Sequence, residues 1–157
     1  DIGEFKTFLK ISPPLRTEED RLSLVKGIKE NLIDVIVSDH LPEDEESKRL
    51  PFAQAATGSI GIETLLPLAL EMYHNELLPL EKIIETLTIN PSKILKINKG
   101  TLKKGADGDM CIFDLEAPWK LDAEKLKSKS KNTAIEDRKL QGKVEKTFLN
   151  GKLVFQI

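Results

Sequence analysis

The alternation of apolar and polar positions divides the chain into recognisable elements. Residues 5–11 (FKTFLKI) read as a short strand. Pro13-Pro14 stops it, because proline fixes φ and removes a backbone donor. Thr17-Glu18-Glu19-Asp20 is a helix start, with Thr17 as N-cap and three acids in the first turn. Leu22, Val25, Ile28 and Leu32 then recur at helical spacing. Residues 33–37 (IDVIV) are almost wholly apolar, the pattern of a strand covered on both faces. Strand, helix and strand together predict a βαβ unit.

A polar stretch follows Asp39. Residues 41–61 (LPEDEESKRLPFAQAATGSIG) show little periodicity, and loops of this length in a compact domain are often functional. This one lies beyond the C-terminal end of the predicted strand, where α/β folds place their sites. A helix is expected over 62–75, with Ile62, Leu65, Leu66, Ala69 and Met72 as its stripe. Another is expected over 79–89, opened by Pro79 and stopped by Asn90-Pro91, with PSKIL as a short turn. After Lys99 the texture turns β-rich. MCIFD (110–114) reads as a strand, and VEKTFL (144–149) and KLVFQ (152–156) flank Asn150-Gly151, a strong hairpin signal. Residues 122–143 are charged and weakly patterned, either an ordered loop or a flexible excursion.

Composition narrows the function. The chain has 157 residues, enough for about one domain, and 39% of them are hydrophobic, enough for a core. With 24 Lys+Arg against 26 Asp+Glu, no basic surface for nucleic acid or an anionic membrane is expected. No apolar run reaches spanning length, and no signal peptide is visible, so a cytoplasmic location is expected. One cysteine, Cys111, excludes an internal disulfide. Two histidines, His40 and His74, are too few for a self-contained zinc hydrolase.

Ser38-Asp39-His40 is the best local candidate for chemistry. An Asp at a strand end can ligate a metal and move a proton; equally, it can cap a turn while His40 bonds to backbone. Glu43 to Glu46 form an acidic run without the spacing of a calcium loop. Gly58 and Gly61 could admit an anion to a backbone N–H or simply serve a turn. His74 reads as a helix-end residue, and Cys111 as an inert strand residue.

Seven segments occur in a set order over nearly the whole chain: ISPPLRTEEDR (11–21), IDVIVSDHLPEDEESK (33–48), GIETLLPLAL (61–70), LTINPSKIL (87–95), GTLKKGADGDMCIFD (100–114), SKSKNT (128–133) and GKVEKTFLNGKLVF (142–155). The ordered set resembles dihydroorotase of the multifunctional-complex type, within the amidohydrolase superfamily. That resemblance implies an α/β plus β fold, the C-terminal portion of a longer chain. Residues 1–98 would be the last βα units of a (β/α)8 barrel. Residues 99–157 would form a small β-sandwich module, completed by residues upstream. The family's HxH motif, bridging carboxylate and two further histidine ligands would also lie upstream.

On this mapping Asp39 falls on the barrel-end Asp that ligates zinc and acts as general base and acid. The implied reaction is reversible hydrolysis of the cyclic amide of dihydroorotate to N-carbamoyl-L-aspartate, a step of pyrimidine biosynthesis. Ser12 stands where the family has Asn, and Glu43 where a His contacts the substrate carboxylate; a Glu there would repel an anion. Thr57-Gly58 falls on the pair whose backbone contacts the ring. Three readings follow. The first is a dihydroorotase. The second is a dihydroorotase-like pseudoenzyme that serves as a structural partner of aspartate carbamoyltransferase. The third is another cyclic amidase, hydantoinase-like or allantoinase-like. The 157 residues alone are expected to bind no metal and to be inactive. They are also expected to self-associate, as a homo-oligomer, or to leave the 41–60 loop partly disordered.

Overall fold

The computed structural model describes residues 5–157. The chain divides into two compact units. Unit 1 combines residues up to 21 with 38–65 and 120–139; unit 2 combines 22–37, 66–119 and 140–157. Among the described residues five α-helices run in chain order: α1 (Glu18–Lys29), α2 (Glu45–Lys48), α3 (Leu65–His74), α4 (Leu80–Leu87) and α5 (Ile89–Leu95). Three strands follow: β1 (Met110–Lys120), β2 (Lys139–Leu149) and β3 (Lys152–Gln156). None of the helices is long and apolar enough to cross a membrane.

Unit 2 holds an aliphatic core. Val25 and Ile28 from α1 cluster with Ala69, Leu78 and Ile83, and Ile33, Ile36 and Met72 pack against them. The predicted stripe of α1 is only half used: Val25 and Ile28 are buried, whereas Leu22 and Leu32 are exposed. The predicted strand 33–37 is not a ladder strand. Its Ile36 N–H donates to the Thr86 carbonyl at 3.3 Å, but no second strand runs beside it among the described residues. A strand needs a neighbour for its alternate N–H and C=O groups, so an apolar run without one stays extended and unpaired.

Helix α3 begins at Leu65, three residues later than expected, so Ile62 precedes the helix and is exposed. Asn90-Pro91 does not end helical structure. Helix α4 stops at Leu87, and α5 starts at Ile89 with Pro91 in its first turn. Proline is tolerated there because the N–H it lacks would have had no intrahelical partner. The sheet order is β1-β2-β3. Strands β2 and β3 are antiparallel, with Leu149 opposite Lys152 and a register shift between Thr147 and Phe148. Asn150 and Gly151 both take positive φ, 51° and 73°. That is the type I′ requirement which makes Asn-Gly a hairpin turn.

Unit 1 has little regular structure. The predicted strand 5–11 is instead a 3-10 turn over Thr7–Leu9, closed by Leu9 N–H to Lys6 O and Lys10 N–H to Thr7 O, both 3.0 Å. With no strand beside it among the described residues, the segment satisfies these donors locally. Hence neither strand of the predicted βαβ unit forms a ladder among the described residues. Thr17 caps α1 reciprocally: the Asp20 N–H donates to Thr17 Oγ1 at 3.2 Å, and the Thr17 N–H to Asp20 Oδ2 at 3.1 Å. This is a capping box with Asp in place of Glu. The charged stretch after Leu121 is a loop with a 3-10 turn over Ala123–Lys125, and it buries Asn132 and Thr133.

Candidate functional site

All five predicted site residues belong to unit 1. Asp39 ends the extended run and takes φ +43°. Left-handed backbone is uncommon outside glycine, although Asp adopts it more readily than most residues. Its side chain is exposed and has no hydrogen-bond or ion-pair partner among the described residues. A carboxylate in that setting has both oxygens available. His40 is engaged with backbone: its Nδ1 accepts from the Gly61 N–H at 3.1 Å and the Ile62 N–H at 3.4 Å. That Nδ1 is an acceptor, so any proton on the neutral ring sits on Nε2. Of the two readings of His40, the backbone bond is the one observed.

The 41–60 loop is folded around backbone-directed side chains. Asp44 caps α2 through the Glu46 N–H at 2.7 Å. Gly58, buried, adopts φ +149° with Leu41 pressed against it; a Cβ there would lie 2.8 Å from Leu41 Cδ2 and 3.0 Å from Leu41 O. Only glycine fits both the angle and the space. The Gly58 N–H donates to Lys10 O at 3.0 Å. The Gly58 carbonyl accepts from Lys48 Nζ at 3.0 Å and from Asn132 Nδ2 at 3.3 Å.

Lys48 is fully buried, with its ammonium on three carbonyls: Lys10 and Ala56 at 3.1 Å and Gly58 at 3.0 Å. Burial pushes its pKa below the ordinary lysine value; Glu43 opposes that shift and Lys10 adds to it. Lys10 has the same arrangement on the carbonyls of Phe52, Ala53 and Ala55, and its Nζ also lies 5.5 Å from the Phe52 ring centre. Asn132, 2% exposed, spans the mouth of the loop. Its Oδ1 accepts from the Glu43 N–H at 3.1 Å, and its Nδ2 donates to Leu41 O at 3.1 Å. Ser130 Oγ donates to the Glu43 carbonyl.

The structure thus joins Glu43, Gly58 and the Lys10–Ser12 segment through one network, next in sequence to Asp39. Lys10, Lys48 and Asn132, which the sequence reading did not single out, are its centre. Lys48 sits beside the acidic run 43–46 in a stretch that looks like solvated surface, Lys10 in the FKTFLKI segment expected to be a strand, and Asn132 in the SKSKNT segment. A cavity of about 520 Å3 in unit 1 is lined by Lys6, Phe8, Glu45, Lys131 and Glu136 among others, and by none of the predicted site residues.

Among the described residues no group of three or more His, Cys, Asp or Glu side chains could hold a metal ion. Asp39 can offer a single ligand, and His40 Nδ1 is occupied by backbone N–H groups, so these residues do not make a metal centre by themselves.

The family model for the amidohydrolase family matches residues 11–154. The chain belongs to the amidohydrolase family. Dihydroorotase from Ehrlichia chaffeensis is 44% identical over 156 residues, and dihydroorotase from Aquifex aeolicus 43% over 147. These alignments cover 99% and 94% of this amidohydrolase chain and 35% of each relative. The chain therefore spans about a third of the length of the curated relatives it matches. Among solved structures, L-hydantoinase from Arthrobacter aurescens superposes with a TM-score of 0.91 at 30% identity, over 99% of this chain and 36% of that one. A D-hydantoinase at 21% identity superposes with a TM-score of 0.85, a likeness of fold.

Proposed function

We propose that these residues form the C-terminal portion of a dihydroorotase. The complete protein would hydrolyse the cyclic amide of dihydroorotate, reversibly, to N-carbamoyl-L-aspartate. The supporting observation is the joined network: the loop after Asp39 is folded so that positions 43 and 58 share one side chain, Asn132. Identity above 40% to dihydroorotases over most of the chain supports the same choice of substrate. Residues 1–98 would close a (β/α)8 barrel, and 99–157 would belong to a small β-sandwich. The complete protein would be a cytoplasmic homo-oligomer.

In this reading Asp39 is the general base and acid. Water adds to the ring carbonyl, and Asp39 takes the proton released. The ring C–N bond then breaks, and Asp39 returns a proton to the leaving nitrogen. The lack of any competing partner for its carboxylate among the described residues suits that shuttle. The Gly58 backbone, with the Thr57 peptide before it, would bound the ring, and Ser12 would replace the family's Asn. Zinc in the complete protein would take Asp39 as one ligand, and its other ligands would come from residues outside those described.

Glu43 favours a second reading. Its N–H and C=O are pinned by Asn132 and Ser130, so an acidic side chain is fixed at the position where the family has a carboxylate-binding His. A dihydroorotase-like pseudoenzyme, partnering aspartate carbamoyltransferase, would tolerate this. A hydantoinase-like amidase for a less anionic ring would tolerate it too, in keeping with the hydantoinase fold. Dihydroorotate hydrolysis by the full-length protein decides between them. Turnover that is lost in Asp39→Ala supports the dihydroorotase. No turnover in wild type, restored in Glu43→His, supports the pseudoenzyme. Turnover of hydantoins instead supports the third. The isolated 157 residues should have no activity in any of these assays.

A further inference from the structure

Gly58 is the point at which three sequence-distant segments meet, and it has no side chain with which to hold itself. Its N–H is fixed on Lys10 O, two residues before Ser12, at 3.0 Å. Its carbonyl receives Lys48 Nζ at 3.0 Å and Asn132 Nδ2 at 3.3 Å. Lys48 also holds Lys10 O at 3.1 Å, the same oxygen that takes the Gly58 N–H. Asn132 also holds Leu41 O and the Glu43 N–H, both at 3.1 Å. Both side chains are buried, with Lys48 at 0% exposure and Asn132 at 2%. A buried ammonium is costly to desolvate, and one placed on three carbonyls is satisfied only while those carbonyls converge.

We propose that Lys48 and Asn132 are the positioning residues of the substrate loop: together they lock the Gly58 peptide against the Lys10–Ser12 segment and Glu43, and so set the shape of the pocket that receives the substrate ring. This rests on the dihydroorotase reading. Neither side chain needs to touch the substrate. Lys48 acts through the carbonyls of Lys10 and Gly58, and Asn132 through Gly58 and the backbone of 41–43. A locked peptide bounds the ring before any bond changes, so its loss should weaken ground-state binding more than the chemical step. A methionine at 48 would fill the stem's volume but leave three carbonyls unpaired.

The test is steady-state kinetics of dihydroorotate hydrolysis by the full-length protein, with thermal melting as a check on folding. Lys48→Met should raise KM at least tenfold while kcat falls less than threefold. Lys48→Arg, which keeps the cation, should recover part of that loss. Asn132→Ala should raise KM about three- to tenfold with the same split, and it serves as the deciding variant if Lys48→Met does not fold. An active wild type whose folded variants keep KM within twofold overturns the proposal and leaves the dihydroorotase reading standing. Equal losses in kcat and kcat/KM, with KM unchanged, overturn it as well. A wild type with no turnover overturns the reading and the proposal with it.

Discussion

In unit 2 the largest fully buried side chains are Leu70, Ile83 and Thr86; in unit 1 they are Lys48, Leu121, Asn132 and Thr133. The buried hydroxyl of unit 2 is satisfied within its own helix, Thr86 Oγ1 donating to Ile83 O at 2.7 Å. The buried polar groups of unit 1 reach far along the chain, Lys48 to residue 10 and Asn132 to residues 41 and 58. Unit 2 satisfies its backbone with helices and a hairpin and holds them with aliphatic packing. Unit 1 has almost no ladder or helix, so side chains must satisfy its carbonyls. The predicted site residues all lie in unit 1. A backbone pinned by directional bonds keeps one shape, as a binding pocket requires.

The difference can be broken most severely from the unit 2 side. Ile83→Ala should destabilise the full-length protein by about 4 kcal/mol, through lost burial and a residual cavity. Denaturant unfolding measures this, and faster amide exchange should concentrate in 22–37 and 66–95. Lys48→Met should cost less, about 3 kcal/mol, because three carbonyls lose a donor but the stem's packing remains. Its exchange increase should fall on 41–60, leaving the Val25–Ile28 turn protected; a uniform increase would erase the contrast between the two units. Thr17→Ala should cost about 1 kcal/mol, the value of an N-cap, and should fray only the first turn of α1.

The smallest effect is electrostatic. The Asn150 N–H, 2.7 Å from Asp109 Oδ1, and then the Lys99 ammonium hold the Asp109 carboxyl below its ordinary value of 3.8. The ionised form is favoured in the folded hairpin. Its contribution is complete above pH 3.8 and is lost as pH falls through the lowered value. Lys99, raised above its ordinary 10.5 by Asp107 and Asp109, works in the opposite sense: its contribution is present below 10.5 and lost as pH rises through the raised value. Both groups are exposed enough for salt to weaken them. The protection of amides 150–153, corrected for the intrinsic pH dependence of exchange, should therefore fall as pH drops below 3.8, and Asp109→Asn should abolish that dependence.

Local signals were legible wherever the physics is local. Thr17 with Asp20, Pro79 before α4, and Asn150-Gly151 each act within a few residues, and each does in the structure what its spacing predicts. Patterns that needed a distant partner were misread. FKTFLKI and IDVIV have strand composition but no ladder among the described residues. Asn90-Pro91 looked like a stop because proline's position within a helix, which decides its cost, depends on where the helix starts. In the site, Asp39, Glu43 and Gly58 could be picked out by resemblance, but the residues that hold their backbone could not. Lys48 and Asn132 look like solvated polar residues until the carbonyls of distant segments are brought around them.

By itself, then, the sequence determined the family, the helix and hairpin signals, and the candidate acid-base residue, because motifs and short-range spacing carry that information. Only the tertiary structure decided that Lys48 is buried, that Gly58 is the crossing point of three segments, and that His40 is spent on backbone. A hydrogen bond between residues 91 positions apart, as from Asn132 to Leu41, leaves no periodicity in the chain. It exists only once the loop has closed.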